Sequence, residues 1–151
     1  MLRLSRALYL EMVAHCLVGL PDEACGLLVG SYGGDEATHL FVTPNAAASA
    51  LVYEIDPREM LRVDRAAQGL GADIMGVFHS HTHTDAYPSP TDVAQATDPG
   101  WHYVLVSLRD TQPVVRSYRV VEGMIAEEPV EVPGLAVPGL EASREEVSDS
   151  G

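Results

Sequence analysis

This sequence of 151 residues contains no lysine, only two cysteines and no long uninterrupted apolar run. A transmembrane helix needs about 20 apolar residues, so the absence of such a run excludes a membrane span. Residues 1–10 include Arg3 and Arg6 and lack the apolar stretch of a signal peptide, so we expect a cytoplasmic protein. Cys16 and Cys25 are too few for a disulfide framework and form no Cys-x-x-Cys pair, which disfavours redox chemistry and thiolate zinc sites.

Positive charge is scarce throughout the chain. Nine arginines stand against 22 acidic residues, and the net charge is −13 at pH 7. Proteins that bind nucleic acid do so largely by neutralising phosphates with cationic side chains. The charge therefore argues against nucleic acid, and against an anionic membrane surface, as a partner.

The composition predicts one domain followed by a tail. A length of 151 residues with 46% hydrophobic residues fits a single globular domain with one core. Residues 132–151 contain Val-Pro-Gly-Leu twice and then mostly glutamate, serine and aspartate, a composition that buries little apolar surface. We therefore predict a folded domain over residues 1–131 and a flexible acidic tail over residues 132–151.

Apolar periodicity and capping residues predict three helices, the first over residues 5–18, the second from residue 56 to residue 69 or 71, and the third over residues 89–97. Ser5 and Ser89 are suitable N-caps, and in the third helix a proline at the first position and a carboxylate at the third strengthen the prediction. Short apolar runs between turn residues predict seven strands, over residues 25–32, 38–43, 51–55, 74–80, 103–108, 114–121 and 124–130. The fold class is therefore α+β.

Two histidines stand at the end of the strand predicted over residues 74–80. Residues two apart on an extended chain point to the same side, so His79 and His81 present two imidazoles to one point. A catalytic zinc ion has three protein ligands and one water. Asp92, in the first turn of the next predicted helix, is placed to supply the third ligand. The two histidines taken alone fit a solvated strand end equally well.

Two more polar residues accompany this cluster. Glu23 lies between the first helix and the buried strand that begins at Cys25, where a charge needs a partner. An ordinary solvated loop acid also fits that position. Ser89 stands three residues before Asp92 and fits a helix cap.

Together these residues form the pattern Glu-x-x-Gly followed by His-x-His-x7-Ser-x2-Asp. The pattern resembles the zinc-binding motif of the JAMM, or MPN-plus, metalloprotease family, and the resemblance covers about residues 2–130. It implies a cytidine-deaminase-like fold with a mostly antiparallel central sheet of six or seven strands and two or three helices. It also implies Zn²⁺ on His79, His81 and Asp92, with Glu23 as general acid and base and Ser89 assisting through its hydroxyl.

Longer stretches resemble the bacterial Mec branch of this family, namely Pro21–Gly26, His79–His81, Ala86–Ser89, Thr91–Val93, His102–Ser107 and Arg116–Arg119. Members of this branch act with a ubiquitin-like sulfur-carrier protein in cysteine biosynthesis. The resemblance implies a hydrolase that releases L-cysteine from the C-terminal Gly-Gly end of such a carrier.

The substrate end is extended and slender, so it can add as a strand to an exposed sheet edge. The strand predicted over residues 51–55 is the candidate edge. Tyr53 on that strand and Tyr87 in the loop over the metal are therefore the predicted substrate-binding residues. His83 does not fit the motif and is interpreted as an exposed loop histidine, and His102 is interpreted as a packed one.

Other functions fit parts of the same pattern. An isopeptidase that removes ubiquitin-like proteins from lysine side chains also cuts an amide after Gly-Gly, although a compact chain favours the smaller cysteine adduct. A metal-free MPN scaffold typically lacks one or more motif residues, whereas this chain keeps all five. A cupin-type metal site leaves the Ser-x-x-Asp helix unexplained. The oligomeric state is left open, with a homodimer as one option.

Overall fold

A computed structural model describes residues 1–137 as an α+β fold around a six-stranded sheet. The elements, in chain order, are β1 (Leu2–Arg3), α1 (Arg6–Val18), β2 (Cys25–Gly30), β3 (Ala37–Thr43), α2 (Pro57–Gly69), β4 (Asp73–His81), α3 (Pro90–Gln95), β5 (His102–Ser107), β6 (Val114–Val121), β7 (Met124–Glu128) and β8 (Val130–Glu131). The strand order is β3-β2-β4-β5-β6-β7. Only the β4–β5 pair of this sheet is parallel, which confirms the predicted mostly antiparallel arrangement.

The central sheet is covered on both faces. Alternate residues of a strand face opposite sides, so β2 sends Leu28 into the layer beneath α1 and Leu27 into the layer beneath α2. Every residue of β2 is buried, which explains its continuous apolar sequence. A Cβ atom at Gly26 would clash with the Phe78 ring, so glycine is required where β2 packs closely against β4. This packing fixes the chain just after Glu23.

The strand predicted over residues 51–55 is absent from the structure, and that prediction was wrong. The side chain of Asn45 binds this segment instead of a neighbouring strand. Its Nδ2 donates to the Val52 carbonyl at 3.0 Å, and its Oδ1 accepts from the Glu54 amide at 3.0 Å. The Ala46 amide also donates to the Glu54 carbonyl at 2.8 Å. The segment is consequently an ordered loop whose inward backbone groups are satisfied by the Asn45 side chain and the Ala46 amide.

The end of the described chain packs on the domain. Val132 and Val137 are buried in the layer beneath α1, although both follow the domain boundary predicted at residue 131. That boundary stays a prediction, and the part of the predicted tail at residues 138–151 lies outside the described residues. Within residues 1–137, no helix combines the length and apolar character needed to cross a bilayer.

A buried charge network lies at the start of β5, at the opposite end of that strand from Ser107. His102 is fully buried, as predicted, and its ring binds the Glu128 carboxylate. That carboxylate also accepts from the Ser117 hydroxyl at 3.0 Å and from Arg119 Nε at 2.8 Å. Burial acts to raise the pKa of Glu128, but the hydrogen bond and charge of His102, together with the charge of Arg119, outweigh it and lower the pKa to about 2.

Glu128→Gln is therefore expected to destabilise the fold in a pH-dependent way. The carboxyl has a pKa near 4.5 when unfolded and about 2 when folded, so its stabilisation is complete above pH 4.5 and is lost as the pH falls towards 2. Breaking a buried pair by removing one partner costs about 3 kcal/mol or more. Urea unfolding at pH 7 and pH 3 should show that the variant's deficit in free energy of unfolding is smaller at the lower pH.

Glu127→Gln is the matched control, because Glu127 pairs with the partly exposed Arg116 at 3.0 Å. Its loss should cost at most about 1 kcal/mol. An equal deficit for Glu128→Gln at both pH values would contradict the assigned ionisation.

Candidate metal centre

Three potential ligands converge at the carboxyl end of β4. His79 and His81 point to the same side of this strand, and both are buried. Asp92 lies in the first turn of α3, the helix that follows the loop after β4. One ligand atom from each of the three residues lies within 4.8 Å of the other two. The structure thus brings together the three residues predicted from the motif.

The Asp92 carboxylate is aimed by a reciprocal cap. Its Oδ2 accepts from the Ser89 amide at 2.9 Å, and the Ser89 Oγ accepts from the Asp92 amide at 3.1 Å. This capping box fixes the carboxylate at the start of α3, facing the histidines. Oδ1 lies 3.2 Å from His79 Nε2 and Oδ2 lies 3.0 Å from His81 Nε2. Each carboxylate oxygen of Asp92 thus faces one of the two imidazoles.

The environment of each imidazole favours a cation at the common point. His81 Nδ1 lies 2.7 Å from the Asp85 carbonyl, which only accepts, so Nδ1 carries a proton and Nε2 faces Asp92. In a neutral His81 the lone pair of Nε2 would therefore face the Asp92 carboxylate, and a cation between them would remove this repulsion. Burial lowers the pKa of His79, and its buried Nε2 has no hydrogen-bond partner within residues 1–137 despite its proximity to Asp92. Two imidazoles and one carboxylate are a suitable ligand set for zinc.

Glu23 lies beside this cluster and is held by its backbone. Its amide donates to the Ser49 carbonyl at 2.8 Å, and its carbonyl accepts from Asn45 Nδ2 at 3.0 Å. The side chain is 5% exposed, and its Oε1 has no hydrogen-bond partner within residues 1–137. Burial is the main cause that raises the pKa of Glu23 to about 7, with the charge of His81 opposing and that of Asp92 reinforcing the shift. This carboxyl group can therefore exchange a proton near neutral pH.

The two predicted substrate-binding tyrosines occupy different positions. Tyr53 stacks on His79, with ring centroids 4.2 Å apart and planes inclined by 22°. Tyr87 is 57% exposed and packs edge-on against Tyr118, with centroids 5.7 Å apart. His83 is exposed, in line with its interpretation as a loop histidine.

Two hydrogen-bonding contacts that support this cluster were not predicted from the sequence. Asn45 ties the chain at Glu23 to the loop that carries Tyr53, and the Asp85 carbonyl orients His81. Both act through hydrogen bonds set by the folded loops, and the sequence pattern contains no signal for them.

The fold is α+β with a mixed central sheet, and a strand of that sheet ends in the buried cluster of His79, His81 and Asp92 with Glu23 beside it. This combination defines a metallohydrolase of the JAMM type. The sequence model for prokaryotic homologs of the JAB domain matches residues 5–121. The chain belongs to this family, as its motif predicted.

Two relatives and two solved structures show the extent of the likeness. The CysO-cysteine peptidase of Mycobacterium tuberculosis is 48% identical over 122 residues, covering 80% of this chain and 84% of that protein. The desampylase of Haloferax volcanii is 38% identical over 88 residues, covering 58% and 63%. The solution structure of DSY2949 from Desulfitobacterium hafniense has a TM-score of 0.80 at 33% identity, covering 91% of this chain and 96% of that one. AF2198, a JAB1/MPN domain protein from Archaeoglobus fulgidus, shares the fold with a TM-score of 0.59 at 22% identity, covering 87% and 96%.

Proposed function

We propose that this chain is a zinc-dependent amide hydrolase that releases L-cysteine from the C-terminal Gly-Gly end of a ubiquitin-like sulfur-carrier protein. The observation that carries the chemistry is the convergence of three ligand atoms within 4.8 Å beside the buried Glu23, whose Oε1 has no hydrogen-bond partner within residues 1–137. The substrate is supported by the relative named CysO-cysteine peptidase, which is 48% identical over 80% of this chain. The family match also spans all five motif residues.

His79, His81 and Asp92 would hold the zinc ion. When bound, zinc polarises the scissile carbonyl and lowers the pKa of water, so that hydrolysis proceeds near neutral pH. The chain contributes a buried set of nitrogen and oxygen ligands, and Ser89 and Asp85 orient two of them through hydrogen bonds.

Glu23 would move the proton that amide hydrolysis requires. Its carboxylate accepts a proton from the attacking water and returns it to the leaving amine nitrogen of cysteine. The pKa of about 7, raised by burial, suits both steps because the group is neither a strong acid nor a very weak one. Oε1 is buried and has no hydrogen-bond partner within the described residues, so no protein donor there competes for its lone pairs.

Ser89 would stabilise the oxygen of the carbonyl under attack. Its Oγ already accepts from the Asp92 amide as a helix cap, which leaves the hydroxyl proton free to donate. A hydroxyl that donates to a developing oxyanion contributes about 100-fold or more to the rate. The cap and the donor role coexist, since they use different parts of one hydroxyl.

The loop at residues 51–55 would hold the Gly-Gly end as an added strand. Val52 and Glu54 direct backbone groups inward to Asn45, as described above. The amide and carbonyl of Tyr53 form no hydrogen bond within residues 1–137, and in an extended segment they point the opposite way. An extended peptide can pair with these groups and reach the ligands next to the Tyr53 ring. Tyr87, in the loop before α3, would border the path of the substrate on the other side.

The second candidate is an isopeptidase that removes a ubiquitin-like protein from lysine side chains. It is favoured by the 38% identity with the Haloferax protein named desampylase. Both reactions use the same proton transfer and the same extended Gly-Gly end, so the group that leaves distinguishes them.

A comparison of two substrates tests the proposal. The zinc-loaded protein is incubated with a sulfur carrier that ends in Gly-Gly-Cys and, separately, with the same carrier joined through its terminal glycine to a lysine side chain. Intact-mass spectrometry is expected to show the loss of one cysteine from the first substrate, while the second stays intact. Cleavage of the isopeptide alone would establish the second candidate instead. Cleavage of neither by a protein that binds zinc would refute the substrate assignment.

A further inference from the structure

The two histidines of the proposed centre are held in different ways. The His81 ring is fixed by the hydrogen bond from Nδ1 to the Asp85 carbonyl at 2.7 Å. The hydrogen bonds formed within residues 1–137 include none at His79 Nδ1. The His79 ring is instead covered by Tyr53, with centroids 4.2 Å apart and planes inclined by 22°, and it meets the His81 ring edge-on at 5.1 Å.

A metal-binding histidine has to keep its lone pair aimed at the metal. A hydrogen bond from the other ring nitrogen usually provides this, and losing such a partner typically lowers metal affinity by about 10- to 100-fold. Within residues 1–137 no such partner meets His79 Nδ1, and the contact that covers its ring face is the one with Tyr53. We propose that Tyr53 is a positioning residue, whose stacked ring holds the His79 imidazole so that Nε2 faces Asp92 and the metal point.

Tyr53 is itself held firmly enough to perform this role. Its side chain packs against the core layer beneath α2, which contains Val63 and Ala67. The residues on either side of it are tied to Asn45 through the Val52 carbonyl and the Glu54 amide, each at 3.0 Å. The loop bonds fix the backbone on which the ring stands, and the ring has to leave the core contact to swing away from His79.

The aromatic face, and not the hydroxyl, carries the contact. The Tyr53 hydroxyl forms no hydrogen bond within the described residues, and the ring lies nearly parallel to the imidazole. Phenylalanine preserves such a face, whereas leucine is apolar but smaller and has none. This difference separates stacking from the substrate-binding role predicted for Tyr53, which would change KM and leave metal affinity unchanged.

Zinc affinity and the absorption spectrum of the cobalt-substituted protein test the role of Tyr53. Competition with a chromophoric chelator should show zinc binding about tenfold weaker in Tyr53→Leu and within about twofold of wild type in Tyr53→Phe. The cobalt spectrum, which reports ligand geometry, should change only in Tyr53→Leu. Tyr87→Leu is the matched control, because this exposed tyrosine packs edge-on against Tyr118, which is not a proposed ligand. Tyr53→Met replaces Tyr53→Leu if the latter does not fold.

Wild-type zinc affinity and an unchanged cobalt spectrum in Tyr53→Leu would overturn the proposal, even if turnover fell. The inference depends on the proposed metal centre, so a wild-type chain that binds no zinc would overturn both. A wild-type chain that binds zinc but cleaves neither carrier substrate would overturn the proposed function alone, because chelator competition involves no substrate.

Discussion

Glu23→Gln is expected to lower kcat for cysteine release by about 10²- to 10⁴-fold, the usual contribution of a general acid and base. Glutamine has the shape of glutamate but neither accepts a proton from water nor returns one to the leaving amine. The backbone bonds to Ser49 and Asn45 that hold this position are unaffected by the change. Steady-state kinetics with the Gly-Gly-Cys carrier would measure the loss.

Zinc affinity separates this role of Glu23 from that of a ligand. We expect Glu23→Gln to bind zinc as the wild type does, because Glu23 is not among the three residues whose ligand atoms converge. Glu54→Gln is the matched control. Glu54 lies in the neighbouring loop, its backbone amide is bound by Asn45, and its side chain is exposed. Turnover near the wild-type value in Glu23→Gln would contradict the assigned proton transfer. Loss of zinc from this variant would indicate that Glu23 is a ligand.

His81→Ala is expected to abolish both zinc binding and hydrolysis. The variant removes one of three ligands and leaves the Asp92 carboxylate facing an opened cavity. The fall in zinc affinity should exceed about 100-fold, the upper end of the loss seen when only an outer partner of a ligand is removed. Equilibrium dialysis followed by elemental analysis would measure the zinc content.

His83→Ala is the control for this variant. His83 stands two residues further along the chain, is exposed and lies outside the converging set. The His83→Ala variant should bind zinc and turn over substrate as the wild type does. A folded His81→Ala protein that still bound one zinc ion tightly would show that the metal lies elsewhere.

Local rules explain why the motif residues could be placed from the sequence. The alternation of a strand sets His79 and His81 on one side, and the geometry of a helix start brings Ser89 and Asp92 together. The helix capped by Ser5 was predictable for the same reason. Each of these features depends on residues only a few positions apart.

Features that depend on distant residues could not be predicted. The alternating apolar residues of the 51–55 segment favour a strand, but the Asn45 side chain binds its backbone in place of a neighbouring strand. The pairing of His102 with Glu128 joins residues 26 apart and depends on the register that sets Ser117 opposite Glu128. Tyr53 was assigned to the substrate by its place in the predicted edge, and no periodicity indicates that its ring covers His79.

The loop held by Asn45 has a thermodynamic consequence, because it joins two binding events in one segment. Its Tyr53 ring covers a proposed metal ligand, and the Tyr53 amide and carbonyl, which form no hydrogen bond within residues 1–137, are the groups proposed to pair with the substrate. A carrier paired with this backbone would restrain further a loop that Asn45 already orders, so carrier binding would raise the affinity for zinc, and zinc would raise the affinity for the carrier by the same factor. The affinity for zinc would then depend on whether the carrier is bound, and the affinity for the carrier would depend on whether zinc is bound.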